Sequence, residues 1–123
     1  MDINRLTEKI IGAALEVHQL LGPGLLESAY QRAMAHELRL RQMTFEDQKL
    51  CPLTYKDLII DDAYRLDFLV GGQVVVELKT VDALLDVHEA QVLSYLRFTG
   101  CHIGLLMNFR STTLMRGLKR LAL

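Results

Sequence analysis

Two short apolar runs on either side of Gly71-Gly72 constrain this chain more than any other feature. Tyr64 to Val70 and Gln73 to Lys79 read as the strands of one hairpin. The paired glycines suit the left-handed backbone of a tight turn. The strand centres, Phe68-Leu69-Val70 and Val74-Val75-Val76, have no polar side. A strand that is apolar on both faces must be covered on both, so this sheet needs a layer above and a layer below.

The rest of the chain supplies those layers. From about Asn4 to Leu21, residues Leu6, Ile10, Ala13, Ala14, Val17 and Leu21 recur at three- and four-residue spacing, which predicts an amphipathic helix ended by Gly22-Pro23-Gly24. A second helix is expected from about Leu25 to Gln42, with Leu26, Ala29, Tyr30, Ala33 and Glu37 as one stripe flanked by Met34 and Leu38. Thr44 to Tyr55 alternates loosely around Pro52, which argues for an edge strand or a bulge. Lys56 to Ala63 reads as a polar turn region. Asp86-Val87-His88-Glu89 has capping-box spacing and opens a third helix to about Phe98, closed by Gly100. Ile103 to Phe109 reads as a buried strand, and the tail from Ser111 to Leu123 is ambiguous between strand and helix. Strand–helix–strand near the end implies a parallel crossover. The fold class is therefore α/β: a mixed sheet flanked by helices, in one domain over residues 1–123.

The function classes are narrowed by charge and cysteine content. A net charge of −1 excludes a surface that is basic all round, though not a local basic patch. No apolar run approaches a membrane span, and the N-terminal stretch carries Asp2, Glu8, Glu16 and His18, unlike a signal peptide. Cys51 and Cys101 form no CxxC pair, which suits reduced thiols in a cytoplasmic protein.

Chemistry concentrates at one end of the hairpin. Glu77 and Lys79 lie two apart on a strand and so share a face. Glu-x-Lys alone is an ordinary strand end with a local ion pair. Asp67, between Leu66 and Phe68, needs a partner, which Arg65 or Lys79 could provide. Alternatively, Asp67 and Glu77 are hard oxygen ligands for Mg²⁺, with Lys79 beside an attacking water. The turn length decides between these. A two-residue turn would pair Asp67 with Val76 and put the two carboxylates on opposite faces. A three-residue turn, Gly71-Gly72-Gln73, would pair Val70 with Val74 and bring Asp67 and Glu77 to one face, about 5 Å apart at Cβ. The metal reading requires the second arrangement or an equivalent bulge.

Other residues are candidates by position. Glu27 opens the second helix, where a carboxylate favours the helix dipole. His88, Gln91 and Tyr95 share a face of the third helix, and the Gln91/Tyr95 part can reach the Glu77–Lys79 strand end. His18, in the last turn of the first helix, suits the C-terminal dipole better than a metal. Arg110, Arg116, Lys119 and Arg120 in the tail, with Arg32, Arg39 and Arg41 on the second helix, could contact phosphate along a groove.

Gly24-Leu25-Leu26-Glu27-Ser28-Ala29-Tyr30 fits the signature of the GxxExxY protein family of bacteria and archaea. Tyr64-Arg65-Leu66-Asp67, Val76-Glu77-Leu78-Lys79, His88-Glu89-Ala90-Gln91 with Tyr95, and Gly104 to Phe109 resemble it too, so the similarity runs from His18 to the Gly117–Arg120 tail. That family is grouped with the PD-(D/E)XK nucleases, and Gln91-x-x-x-Tyr95 is similar to the QxxxY motif of RecB-like enzymes. The resemblance implies a restriction-endonuclease-like core preceded by two helices. It implies metal-binding roles for Asp67 and Glu77, with Glu27 completing the site, and a catalytic role for Lys79 with Gln91 and Tyr95 beside it. Leu66 stands where the superfamily's name has Pro. The expected function is a Mg²⁺-dependent nuclease, with Mn²⁺ as a substitute ion, acting on phosphodiester bonds of DNA. The alternative is an inactive nuclease-fold domain that binds nucleic acid or a protein partner, and a homo-oligomer stays open.

Overall fold

The computed structural model describes residues 2–123. Helices α1 (Ile3–Leu21) and α2 (Glu27–Leu40) come first. Strands β1 (Phe45–Tyr55), β2 (Leu58–Val70) and β3 (Val74–Lys79) follow, then helix α3 (Asp86–Thr99) and strand β4 (Ile103–Asn108). A 3-10 turn (Leu114–Gly117) leads into β5 (Leu118–Ala122). The sheet has five strands in sequential order. β1, β2 and β3 are antiparallel neighbours, β3 and β4 are parallel, and β5 returns antiparallel to β4. This is the mixed α/β sheet the sequence predicts.

Both faces of the sheet are covered, as two-sided apolar strands require. On one face Leu6, Ile10, Ala13 and Val17 of α1 pack with Tyr30, Met34 and Leu38 of α2 over Phe68, Val70, Val74, Val76 and Leu78. On the other, Val92 and Leu96 of α3 pack over Leu66, Val75 and Leu106. Gly104 makes the second layer thin. A Cβ added there would stand 2.6 Å from Val92 Cγ1, so α3 lies closer to β4 than any side chain would allow.

Four expectations need correction. The second helix buries Tyr30, Met34, Ala35 and Leu38, while Leu26 is 78% exposed, so its core stripe lies to one side of the expected one. Lys56 to Ala63 is not a turn region. Only Lys56-Asp57 turn, and β2 already begins at Leu58, paired with Tyr55. The apolar Leu58, Ile59 and Ile60 propagate the hairpin outward beyond the covered sheet. The helix α3 cap is shifted by one residue: Leu85 occupies the N-cap position, and its N–H donates to His88 Nδ1 at 2.9 Å. The tail is both 3-10 turn and strand, in succession. Pro52 sits as expected, on edge strand β1 where the pairing register shifts between Cys51 and Leu53.

Candidate active site

The hairpin turn has three residues. Val70 pairs with Val74 and Phe68 with Val76, and the turn is closed by Gln73 N–H donating to Val70 O at 3.0 Å. Gly71 and Gly72 carry φ of 60° and 66°, a left-handed pair that only glycine adopts without strain. Continued by one more pair, this register would set Asp67 opposite Glu77.

The β2–β3 ladder ends at Phe68–Val76. In unbroken pairing Leu66 would face Leu78. Instead the Asp67 carboxylate takes that place, and its Oδ2 accepts the Leu78 N–H at 2.8 Å. The strand changes face at the same point: Phe68 and Val70 belong to the α1/α2 core, whereas Leu66 belongs to the α3 core, although i and i+2 normally share a face. β1 changes face beside it. Asp47 pairs with Phe68 and Lys49 with Leu66, while Gln48 between them has φ of 50°. The two outer strands thus turn together away from β3, as at a bulge, and Asp67 sits in the opening.

Glu77 is buried, at 5% exposure. Burial pushes its carboxyl far above the ordinary range, to about 10, reinforced by a hydrogen bond and charge from Asp67 and opposed by Lys79. Glu77 therefore keeps its proton at neutral pH, beside the Asp67 side chain. Lys79 Nζ donates to Gln91 Oε1 at 2.8 Å, so α3 sets the position of the lysine. Tyr95 is raised by burial and by the Glu77 charge, and its hydroxyl is eased by Gln91. Its ring stacks on Tyr64 at 5.0 Å between centroids, and burial raises the Tyr64 hydroxyl to about 12. None of the ion pairs among the described residues includes Asp67, Glu77 or Lys79. The ordinary reading of Asp67 as one half of a salt bridge with Arg65 or Lys79 thus has no counterpart here.

Glu27 meets this cluster from α2, on the other side of the sheet. It lines a cleft with Asp67, Ser28, Gln31 and Arg65. Its carboxyl is raised by burial first, then by the Asp67 charge, and lowered by Lys79. Gln91 does not line that cleft; it joins the cluster through Lys79. Among the described residues no group of three or more His, Cys, Asp or Glu side chains stands at ligating spacing. Asp67 and Glu77 are thus a two-carboxylate pair with Glu27 further out. Two carboxylates suit Mg²⁺, which takes oxygen ligands and commonly keeps several waters beside one or two acidic side chains. A cation would also offset the burial that holds Glu77 protonated.

Sequence reasoning did not anticipate three supports. Tyr30 clamps the loop before α2: its hydroxyl accepts the Leu25 N–H at 3.0 Å and donates to Gly22 O, and its ring stacks on Phe109 at 4.8 Å. The i to i+3 spacing of Glu27 and Tyr30 thus joins a site carboxylate to the residue that fixes its turn. Gln31 Nε2 donates to Asp67 O at 3.2 Å. Buried Asn108 pairs with Lys79 and closes the C-terminal end of β3, accepting the Val81 N–H at 3.1 Å and donating to Val81 O at 2.8 Å. Only the polar type of Asn108, inside an apolar strand, hinted at this. His18 lies apart from the cluster in function: it is buried, with Nε2 2.8 Å from Ser111 O, and anchors α1 to the tail.

A model of the PD-(D/E)XK nuclease superfamily matches residues 4–121. No curated protein and no solved structure matches the chain. The five-stranded mixed sheet with helices on both faces is consistent with a restriction-endonuclease-like core.

Proposed function

The chain belongs to the PD-(D/E)XK nuclease superfamily, and on that premise we propose that it is a divalent-metal-dependent nuclease that hydrolyses phosphodiester bonds of DNA. Within the superfamily we assign it to the GxxExxY group, on Gly24, Glu27 and Tyr30. The observation that supports the proposal is the three-residue turn, after which the Asp67 and Glu77 carboxyl groups come within hydrogen-bond reach, with Lys79 on the Glu77 face and free of any ion pair among the described residues.

Asp67 and Glu77 would hold the ion, Mg²⁺ or in its place Mn²⁺, and Glu27 would reach it through a bound water. The ion would supply charge for the phosphate oxygens and an acidified water. Lys79 then has the role the geometry leaves for it. Its ammonium, steered by Gln91, lies where it can orient the attacking water or stabilise charge growing on the phosphate. Tyr95 and Gln91 flank Lys79 on the α3 side. The buried Glu77 must give up its proton before it can ligate, so ion binding and deprotonation are linked.

The test is a cleavage panel of single-stranded, double-stranded and branched DNA and RNA, in Mg²⁺, Mn²⁺ or EDTA, with Lys79→Ala alongside. Metal-dependent DNA cleavage that Lys79→Ala abolishes supports the proposal. Salt-sensitive binding with no cleavage by the wild type would make the chain an inactive nuclease-fold binder instead.

A further inference from the structure

The cleft that holds Glu27 and Asp67 does not end there. Gln31, Arg32 and Gln48 line it and also line a second, larger cavity that continues along α2 against β1. Together they form one groove that starts at Asp67. The α2 wall of the second part carries Arg32, His36 and Arg39, spaced four and three residues apart, on one stripe over about 10 Å of helix. Among the described residues Asp47 is the one acidic side chain lining this part.

The cations of this groove are uncommitted. Among the described residues neither Arg32 nor Arg39 takes part in an ion pair, and the Arg39 guanidinium rests over the Phe45 ring at 5.4 Å. Arg65, at the Asp67 end, is likewise unpaired and exposed. Of the other basic candidates, Arg116 in the tail has no ion pair among the described residues, and the rest are occupied. Arg41 bonds Glu37 and Glu16, each at 2.7 Å. Lys119 bonds Glu89 at 2.7 Å, Arg120 bonds Asn4 Oδ1 at 2.8 Å, and Arg110 bonds Asp82 at 3.1 Å. Gln48 stands where the two parts of the groove meet, on a backbone held at positive φ, a strained conformation that functional sites retain.

We propose that this groove is the track for the phosphate backbone of one polynucleotide strand, with Arg32 and Arg39 as phosphate contacts and the strand entering the candidate site past Gln48. The inference rests on the nuclease reading for its ligand, and it assigns the binding surface to α2 rather than to the basic tail.

Fluorescence anisotropy with a short labelled single-stranded DNA and its duplex, in EDTA across a salt series, tests it. Arg32→Gln/Arg39→Gln should weaken binding about tenfold or more. It should also flatten the log–log salt slope by about 1.4 for the single strand or about 1.8 for the duplex. Lys119→Gln/Arg120→Gln should leave the slope as in the wild type. Both α2 positions are exposed, and matched circular dichroism melts confirm that the variants fold. An unchanged slope in the α2 variant, an equal loss in both variants, or no DNA binding by the wild type overturns the track. Cleavage in Mg²⁺ with an unchanged slope would remove the track and leave hydrolysis standing. A changed slope without any cleavage would do the reverse.

Discussion

The Asp67 carboxylate occupies the place of a backbone carbonyl, accepting the Leu78 N–H at 2.8 Å where the β2–β3 ladder has stopped. One side chain thus satisfies a strand donor and at the same time enters the opening beside Glu77. A freed N–H in a sheet is costly unless it finds a partner. Asp67 therefore has a structural role that Asn can keep, since the amide oxygen also accepts. Asp67→Asn should retain most of the stability, whereas Asp67→Ala should lose about 1–3 kcal/mol by leaving the Leu78 N–H unpaired, as read from urea midpoints.

Lys79 and Gln91 should behave as a pair. Lys79→Ala should cut single-turnover cleavage by about a hundredfold or more while DNA affinity stays close to that of the wild type, because the ammonium acts in the transition state. Gln91→Ala should give a smaller loss, of about tenfold, since it frees the lysine without removing it. A fall in affinity that matches the fall in rate would assign Lys79 to binding.

Gly104 links the fold to the site. Its missing Cβ lets Val92 approach, and α3 brings Gln91 to Lys79 from the same helix. Gly104→Ala should cost about 1–3 kcal/mol by overpacking and should also lower cleavage. Val92→Ala in the same chain should recover part of both, which a urea titration and a cleavage assay can follow together.

Much of this was legible in the sequence, and the misses have physical causes. The glycine pair identified the hairpin, and the parity argument asked for an odd-length turn or a bulge, because side-chain alternation leaves few choices once two carboxylates must share a face; the three-residue turn is one of those. Gln91 at Lys79 followed from helical spacing. The outer half of β2 was missed because Asp61 and Asp62 look like turn residues. There β1 pairing, not burial, holds the strand. The face change at Asp67 was hidden because no local pattern marks it; it shows only in which core takes Leu66 and which takes Phe68. The Tyr30 clamp was invisible because an apolar stripe also explains a tyrosine.

Tyr30→Phe separates those two explanations. It keeps the ring that stacks on Phe109 and loses both hydroxyl bonds to the Gly22–Leu25 turn. We expect a loss of about 1–2 kcal/mol in stability and a weaker metal response at Glu27, measured by thermal melts with and without Mn²⁺.

Glu77 makes the metal-free protein sensitive to pH. Its folded carboxyl keeps a proton above 4.5, where the unfolded chain has lost it. The folded state then binds more protons than the unfolded one. This contribution to stability is complete below the ordinary carboxylate range and is lost as pH rises toward Glu77's raised value. The limiting slope is about 1.4 kcal/mol per pH unit. Glu77→Gln should flatten the decline and be the more stable protein at pH 8, as urea denaturation in EDTA at several pH values will show.

The most direct test of the account is calorimetry of Mn²⁺ binding, run at one pH in two buffers of different ionisation enthalpy. The wild type should bind the ion and release protons as Glu77 ionises, and Asp67→Asn/Glu77→Gln should lose binding. Equal Mn²⁺ binding by the wild type and the double variant, or no binding by either, would contradict the claim that these two carboxylates form the metal site.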